Sequence, residues 1–183
     1  MGGQVKQRTA IFPGTFDPVT LGHIDILMRT LHIFDRVLIA VAASDRQRKQ
    51  PVFTLEERIE MVTCSIPRSL RRRIEIEPFE GLLVEFARAR GVRSLIRGLR
   101  FFSDFEYEFQ MATMNQKLWP EIDTLFVMPT EEFSYINSTL VKEIARHGGD
   151  LSKLVAPSVA RMLSARMRQG DGAKPRGSGR RSR

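Results

Sequence analysis

Twelve residues near the start of the chain, Phe12-Pro13-Gly14-Thr15-Phe16-Asp17-Pro18-Val19-Thr20-Leu21-Gly22-His23, constrain its fold more tightly than any other stretch. They follow a short apolar strand, residues 9–12. They lead into a helical pattern in which Ile24, Leu27, Met28, Leu31 and Phe34 recur at three- and four-residue spacing. Gly14 and Gly22 carry no Cβ, so the backbone there admits a bound group at close range. Pro13 and Pro18 stiffen the loop between them and reduce the entropy lost when a ligand is held. Thr20 is placed as a helix N-cap, which sets His23 in the first turn, where unpaired N–H groups and the positive end of the helix dipole point outward. A strand, a glycine-bearing loop and a helix N-terminus together make a natural phosphate site. An isolated Gly-His pair reads more simply as a strand-to-helix turn with a surface histidine, so the weight falls on the combination.

At 183 residues the chain is long enough for one domain with a full core and short for two. Apolar residues make up 42% and charged ones 27%, the balance of a soluble globular protein. The longest apolar run, residues 37–43, falls far below the ~20 residues of a membrane span. No basic-then-apolar leader opens the chain, and Cys64 is the only cysteine, so the expected compartment is the reducing cytoplasm. The net charge of +8 raises a nucleic-acid reading, which its distribution weakens. In residues 170–183, Lys174, Arg176, Arg180, Arg181 and Arg183 stand against Asp171 alone, a net +4 and half of the excess. That Gly/Ser/Pro/Arg segment lacks apolar periodicity and reads as disordered. The expected organisation is a frayed end at 1–8, a folded domain at 9–168 and a basic tail at 169–183.

Between these ends strands and helices alternate. A near-continuous apolar run at 36–43 suits a buried parallel strand, and a basic loop follows at 44–51. Thr54-Leu55-Glu56-Glu57 is a capping box opening a helix with Leu55, Ile59, Val62 and Ile66 on one face. A third strand at 74–79 precedes a short helix at 82–90 that stops before Gly91. A fourth strand at 92–96 leads directly into Arg97-Gly98-Leu99-Arg100. Ser103-Asp104-Phe105-Glu106 reads as a second capping box, starting the longest helix, which Trp119-Pro120 ends near Leu118. A fifth strand at 124–128, a loop at 129–136, a helix at 137–147 and an amphipathic helix at 158–167 complete the chain. Right-handed crossovers then give a single three-layer α/β domain. Its ligands belong beyond the C-terminal ends of the strands, where the order reverses, and the candidate motifs fall at those ends.

Thr20-Leu21-Gly22-His23 matches the T-x-G-H signature of the nucleotidyltransferases, and Pro13-Gly14-Thr15-Phe16-Asp17-Pro18 narrows the match. The chain resembles the bacterial phosphopantetheine adenylyltransferase family. Arg97-Gly98-Leu99-Arg100, followed by Phe101-Phe102-Ser103-Asp104-Phe105-Glu106-Tyr107-Glu108, and Phe133-Ser134-Tyr135-Ile136-Asn137-Ser138-Thr139 extend the resemblance, which runs from about Thr9 to Met167. It implies a Rossmann-like five-stranded parallel sheet of order 3-2-1-4-5 with a C-terminal helix. It also implies transfer of AMP from ATP to 4′-phosphopantetheine, giving dephospho-coenzyme A and pyrophosphate. Homohexamer assembly and feedback inhibition by coenzyme A come with it.

The resemblance also assigns roles. His23 donates to the α-phosphate, and Thr15 orients the incoming phosphate. Lys49 and Arg97 hold that phosphate, with Arg48 an alternative to Lys49. Thr15, Phe16, Gly98, Leu99, Arg100, Glu108 and residues Phe133, Ser134, Tyr135, Ile136, Asn137, Ser138 and Thr139 fall on the ATP side. Leu83 matches a pantetheine-side position, and an ordinary helix core residue fits it nearly as well. Ser138 reads either as a helix cap or as a phosphate ligand. A guanidinium offers a planar fork suited to phosphate oxygens, which gives the two arginines an independent rationale.

The acceptor is already an anion at neutral pH, so in-line displacement needs positioning and preorganised donors more than a strong base. Mg²⁺ is expected on the ATP phosphates, with no dedicated protein metal site. His32 and His147 receive structural readings. The rival enzyme readings are nucleotidyltransferases acting on nicotinamide mononucleotide, glycerol phosphate or flavin mononucleotide. A nucleic-acid-binding module using the tail is the rival from another class, and neither specific nucleic-acid nor membrane partners are expected.

Overall fold

The computed structural model describes residues 7–43, 50–100 and 102–171. Lys49 and Arg48, and the end of the basic tail at 172–183, lie outside the described residues. Five strands form one parallel sheet: β1 (Thr9–Gly14), β2 (Arg36–Ala42), β3 (Ile74–Phe79), β4 (Ser94–Gly98) and β5 (Asp123–Val127). Their order is β3-β2-β1-β4-β5, as the resemblance implied, and the reversal lies between β1 and β4.

Alternation along the strands separates two cores. Ala10, Phe12, Val37, Ile39, Val41 and Ile96 face the layer built by α1 (Leu21–Ile33), α2 (Leu55–Ser65), α6 (Ser138–Arg146) and α7 (Pro157–Asp171). Ile11, Leu38, Ala40 and Leu95 face the layer of α3 (Leu83–Ala89), where Val84 and Ala87 close the core. Because side chains on a strand point alternately to the two faces, one apolar run serves both layers. The helix α4 (Phe102–Leu118) contributes less. Tyr107, Phe109, Met111, Met114 and Leu118 on it remain substantially exposed. A short α5 (Glu131–Ser134) and a 3₁₀ turn at Arg68–Arg73 complete the elements.

Several boundaries depart from the sequence expectation. The strand β4 runs two residues further than its apolar run, because Arg97 and Gly98 pair with Phe126 and Val127 of β5. Backbone ladders do not require apolar side chains, so hydropathy ended the strand early. The helix α4 is already under way at Phe102, which makes Ser103 an interior position and not a cap. The helix α7 continues to Asp171, into the segment assigned to the tail, since arginine and glutamine prolong a helix that apolar periodicity no longer marks. Arg8, placed in the frayed end, is tied down: its N–H donates to Asp35 Oδ2 at 2.8 Å and its carbonyl accepts from Asp35 and Arg36.

The helix α7 is part of the core, with Val159 and Leu163 fully buried. Leu163→Ala should therefore cost about 2–5 kcal/mol, read as a lower denaturation midpoint at unchanged m-value. A loss below about 0.5 kcal/mol, the size of a surface substitution, would show that the helix is only peripherally docked.

Candidate active site

The loop after β1 carries the first part of the site. Thr20 caps α1 in a reciprocal capping box in which the third helical residue is His23. The His23 N–H donates to Thr20 Oγ1 at 3.4 Å, and the Thr20 N–H donates to His23 Nδ1 at 3.1 Å. Glutamate or glutamine ordinarily fills that third position. With Nδ1 accepting, the proton of the neutral ring resides on Nε2. The Phe16 ring meets the imidazole edge-on at 5.2 Å between centroids, and Phe12 lies 6.5 Å away. Burial, followed by the charges of Arg100 and Arg97, lowers the His23 pKa from 6.5 to about 4. His23 is therefore a neutral donor near pH 7, not an imidazolium.

The end of β4 supplies the arginines. Arg97 grips Glu108 of α4 in a two-point ion pair, with Nε and an Nη at 2.6 and 2.5 Å, and also donates to the Pro13 carbonyl at 3.3 Å. This leaves donors on both terminal nitrogens of the fork uncommitted among the described residues. Glu108, assigned to the ATP side by resemblance, thus orients Arg97 in this structure. Arg100 bonds Asp104 Oδ2 at 3.1 Å and the Ile136 carbonyl at 3.3 Å, joining β4 to the loop before α6. Gly98 ends its strand against α1, where a Cβ would stand 2.2 Å from Ile26 Cδ1. The Leu99 N–H donates to Val127.

The segment 133–139 crosses the start of α1 at close range. A Cβ on Gly22 would lie 3.3 Å from the Phe133 carbonyl oxygen and 3.7 Å from that of Ile136. The cap of α6 is Asn137, whose side chain accepts from the Leu140 N–H at 2.8 Å. Ser138 is the first helical residue, and its hydroxyl donates to the Pro18 carbonyl at 2.9 Å. The Ser134 hydroxyl donates to the Glu131 carbonyl. Tyr135 and Thr139 are exposed, and Ile136 is buried. The helix still leaves its first-turn N–H groups without intrahelical partners, as every helix does. Leu83 is half-buried and packs into the α3-side core.

Three sequence segments remote from one another thus meet at one sheet edge: 13–23, 97–108 and 133–138. Sequence reasoning missed the side chains that hold them there. The Asp25 carboxylate accepts from the Thr130 N–H at 2.8 Å and fixes the start of the 130s loop. Asp17, 6% exposed, accepts from the N–H groups of Val52 and Phe53 and pairs with Lys142 at 2.7 Å. Arg58 is 1% exposed and, among the described residues, donates only to backbone carbonyls. Its spacing from Met61 and Val62 at i+3 and i+4 was the available signal.

The model of the cytidylyltransferase-like family matches residues 11–144. The phosphopantetheine adenylyltransferase of Opitutus terrae is 51% identical over 158 residues, covering 86% of this chain and 96% of the relative. That of Alkalilimnicola ehrlichii is 47% identical over 170 residues, with 89% and 95% covered. The chain belongs to the phosphopantetheine adenylyltransferase family. Among solved structures, a Plasmodium falciparum nicotinic acid mononucleotide adenylyltransferase complexed with NaAD superimposes with a TM-score of 0.62. It covers 90% of this chain and 96% of the other at 12% identity, a likeness of fold alone. Within the phosphopantetheine adenylyltransferase family fold, His23 stands beside the β1–β4 reversal at which open α/β sheets bind ligands.

The His23 environment is measurable by proton NMR. Its imidazole resonances should stay constant from pH 8 to about 5 and move with a midpoint of about 4. A midpoint near the ordinary 6.5 would show the ring to be solvated. Since the folded pKa lies below the unfolded one, the unfolded state takes up the proton first. The stability that His23 contributes is then intact above pH 6.5 and declines as pH falls toward about 4.

Proposed function

We propose that this protein transfers AMP from ATP to 4′-phosphopantetheine, giving dephospho-coenzyme A and pyrophosphate. The observation that carries the reading is the neutral His23, its Nδ1 occupied by the Thr20 N–H and two arginines beside it. Near-half identity to enzymes named for this reaction, over most of both chains, supports the choice of acceptor.

The chemistry requires two anions to meet. The acceptor phosphate attacks the α-phosphorus of ATP in line, one P–O bond forms, and the bond to the departing pyrophosphate breaks. Charge grows on the α-phosphate oxygens as this happens. His23 Nε2–H is the donor assigned to them, and being neutral it holds a hydrogen bond without surrendering its proton. Such preorganised donors act where water is excluded and need no reorganisation during the step. Thr15 orients the acceptor phosphate, and Arg97, aimed by Glu108, holds it with Lys49. Arg100, the backbone near Ser134 and the start of α6 at Ser138 hold the ATP phosphates. The donor set of the cleft, guanidinium groups and helix N–H groups, fits an anion. No group of three or more His, Cys, Asp or Glu side chains that could hold a metal occurs among the described residues. Magnesium would be held by the ATP phosphates in this reading, and the chemistry it would supply is neutralisation of the charge on the leaving pyrophosphate.

Two further parts belong to the reading. The exposed apolar row on α4 supports self-association, for which the homohexamer is the proposed form. No helix among the described residues is long and apolar enough to cross a membrane, and the cytoplasm is the proposed compartment.

The deciding assay is pyrophosphate release with ATP and a panel of acceptors. Phosphopantetheine should be consumed, whereas turnover with nicotinamide mononucleotide, glycerol phosphate or flavin mononucleotide instead would assign another nucleotidyltransferase. His23→Ala should lower kcat by roughly 10²–10³ with a much smaller change in KM, and undiminished kcat would remove His23 from the mechanism. Deleting residues 172–183 should leave turnover intact. Tight duplex or RNA binding that disappears with the deletion would favour the nucleic-acid reading.

A further inference from the structure

The buried Arg58 makes no direct hydrogen bond or ion pair with a carboxylate among the described residues, although the charges of Asp17 and Glu56 act on it from further off. Its guanidinium donates instead to four carbonyl oxygens: Thr15 at 2.8 Å, Ala42 at 2.8 Å, Ala43 at 3.2 Å and Phe53 at 3.3 Å. Removing a guanidinium from water is costly, and an apolar side chain of like size often serves stability equally well. An arginine there makes sense where several carbonyls need one rigid planar fork. These four come from three segments: the loop after β1 at Thr15, the end of β2, and the residue before the α2 cap.

A second group holds the same segments from the other side. Asp17, two residues from Thr15, takes the N–H groups of Val52 and Phe53 at 3.1 and 3.0 Å and is itself held by Lys142. Arg166 of α7 donates to the Val52 carbonyl at 2.5 Å, and its guanidinium lies 4.9 Å over the Phe53 ring. The two ends of the segment that carries Lys49, Ala43 and Val52-Phe53, are thereby fixed to the loop that carries Thr15. Asp17 also reaches α6 through Lys142, whereas Arg58 makes no bond to Arg100, to the 133–136 segment or to α6 among the described residues. The one-sided member of the pair is Arg58.

We propose that Arg58 is a positioning residue for the acceptor half of the reaction, setting Thr15 and the ends of the 44–51 connection through their carbonyls. The proposal rests on the adenylyl-transfer reading and on the acceptor role of Thr15 and Lys49, Thr15 being assigned to the ATP side as well.

The test uses full-length Arg58→Lys and Arg58→Met. Lysine keeps the charge but cannot span four carbonyls, and methionine fills the space without donors. For each variant, ATP affinity without acceptor is measured by calorimetry, and pyrophosphate release is measured with each substrate varied in turn. Misplacing a reacting group by about 1 Å costs on the order of 100-fold. The kcat/KM for phosphopantetheine should fall by about that factor, while the ATP dissociation constant changes less than about threefold, within roughly 0.7 kcal/mol. Millimolar methylguanidinium should partly restore turnover of Arg58→Ala.

Equal losses on both substrates that track the folded fraction would overturn the proposal, as would unchanged acceptor kinetics in a folded variant. So would failure of both Arg58→Lys and Arg58→Met to yield ATP-binding protein, which would make Arg58 a folding residue only. Wild-type enzyme run alongside separates the two layers. Its failure to release pyrophosphate counts against adenylyl transfer, whereas symmetric variants beside an active wild type count against Arg58 alone.

Discussion

The hydrogen bond from the Thr20 N–H to His23 Nδ1 organises the candidate site, and the proposed reaction depends on it. It is a local bond, spanning three residues at the mouth of a helix, and two consequences follow from it. It consumes the one lone pair through which a neutral imidazole could accept a proton, and it leaves the ring proton on Nε2. Phe16 then fixes the ring from the side, and the nearby guanidinium groups oppose its protonation. A device that usually opens a helix with a glutamate or glutamine has here been given to an imidazole, and in the proposed reaction capping and chemistry share one side chain.

Around that bond the loops are held by a consistent scheme. Charged and hydroxyl side chains reach across to the backbone of another segment more than to one another. Asp17 binds the amides of 52–53, Asp25 the amide of Thr130, Arg100 the carbonyl of Ile136 and Ser138 the carbonyl of Pro18. Arg73 does the same at the far end of α1, on the carbonyls of Leu31, Phe34 and Asp35. Irregular backbone near a core needs partners for its polar groups. Supplying them from a side chain also specifies where that backbone lies, which a loop solvated by water would not do. The sheet gives the layers, and these cross-links give the site its dimensions.

Much of this was legible in the sequence, and the omissions share a cause. The strand–helix alternation, the N-cap at Thr20 and the capping box at Thr54 depend on neighbours within a few residues, and both caps form, that of Thr20 as a box closed by His23. The strand order came from the resemblance, because pairing between β1 and β4 leaves no local mark. Where the reading slipped, a long-range partner decided the outcome. The ladder to β5 carried β4 through Arg97 and Gly98 against hydropathy. Asn137 took the cap of α6 while Ser138 turned to Pro18, eliminating the cap reading of that serine. The helical spacing of Arg58 from Met61 and Val62 marked it for burial, but its partners lie 5 to 43 positions away and are carbonyls, a type that no side-chain pattern reveals. The pairing of Arg97 with Glu108 across 11 residues was hidden in the same way.

The bare backbone at Gly22 has a consequence for how closely the two walls of the cleft are seated. There the start of α1 and the segment that crosses it are separated by little more than the width of a methyl group. A side chain at that position would act as a shim, obliging the crossing segment to give way by a few tenths of an ångström. The helix that bears His23 and the backbone overhead are therefore seated directly on one another, at a spacing set by the missing carbon.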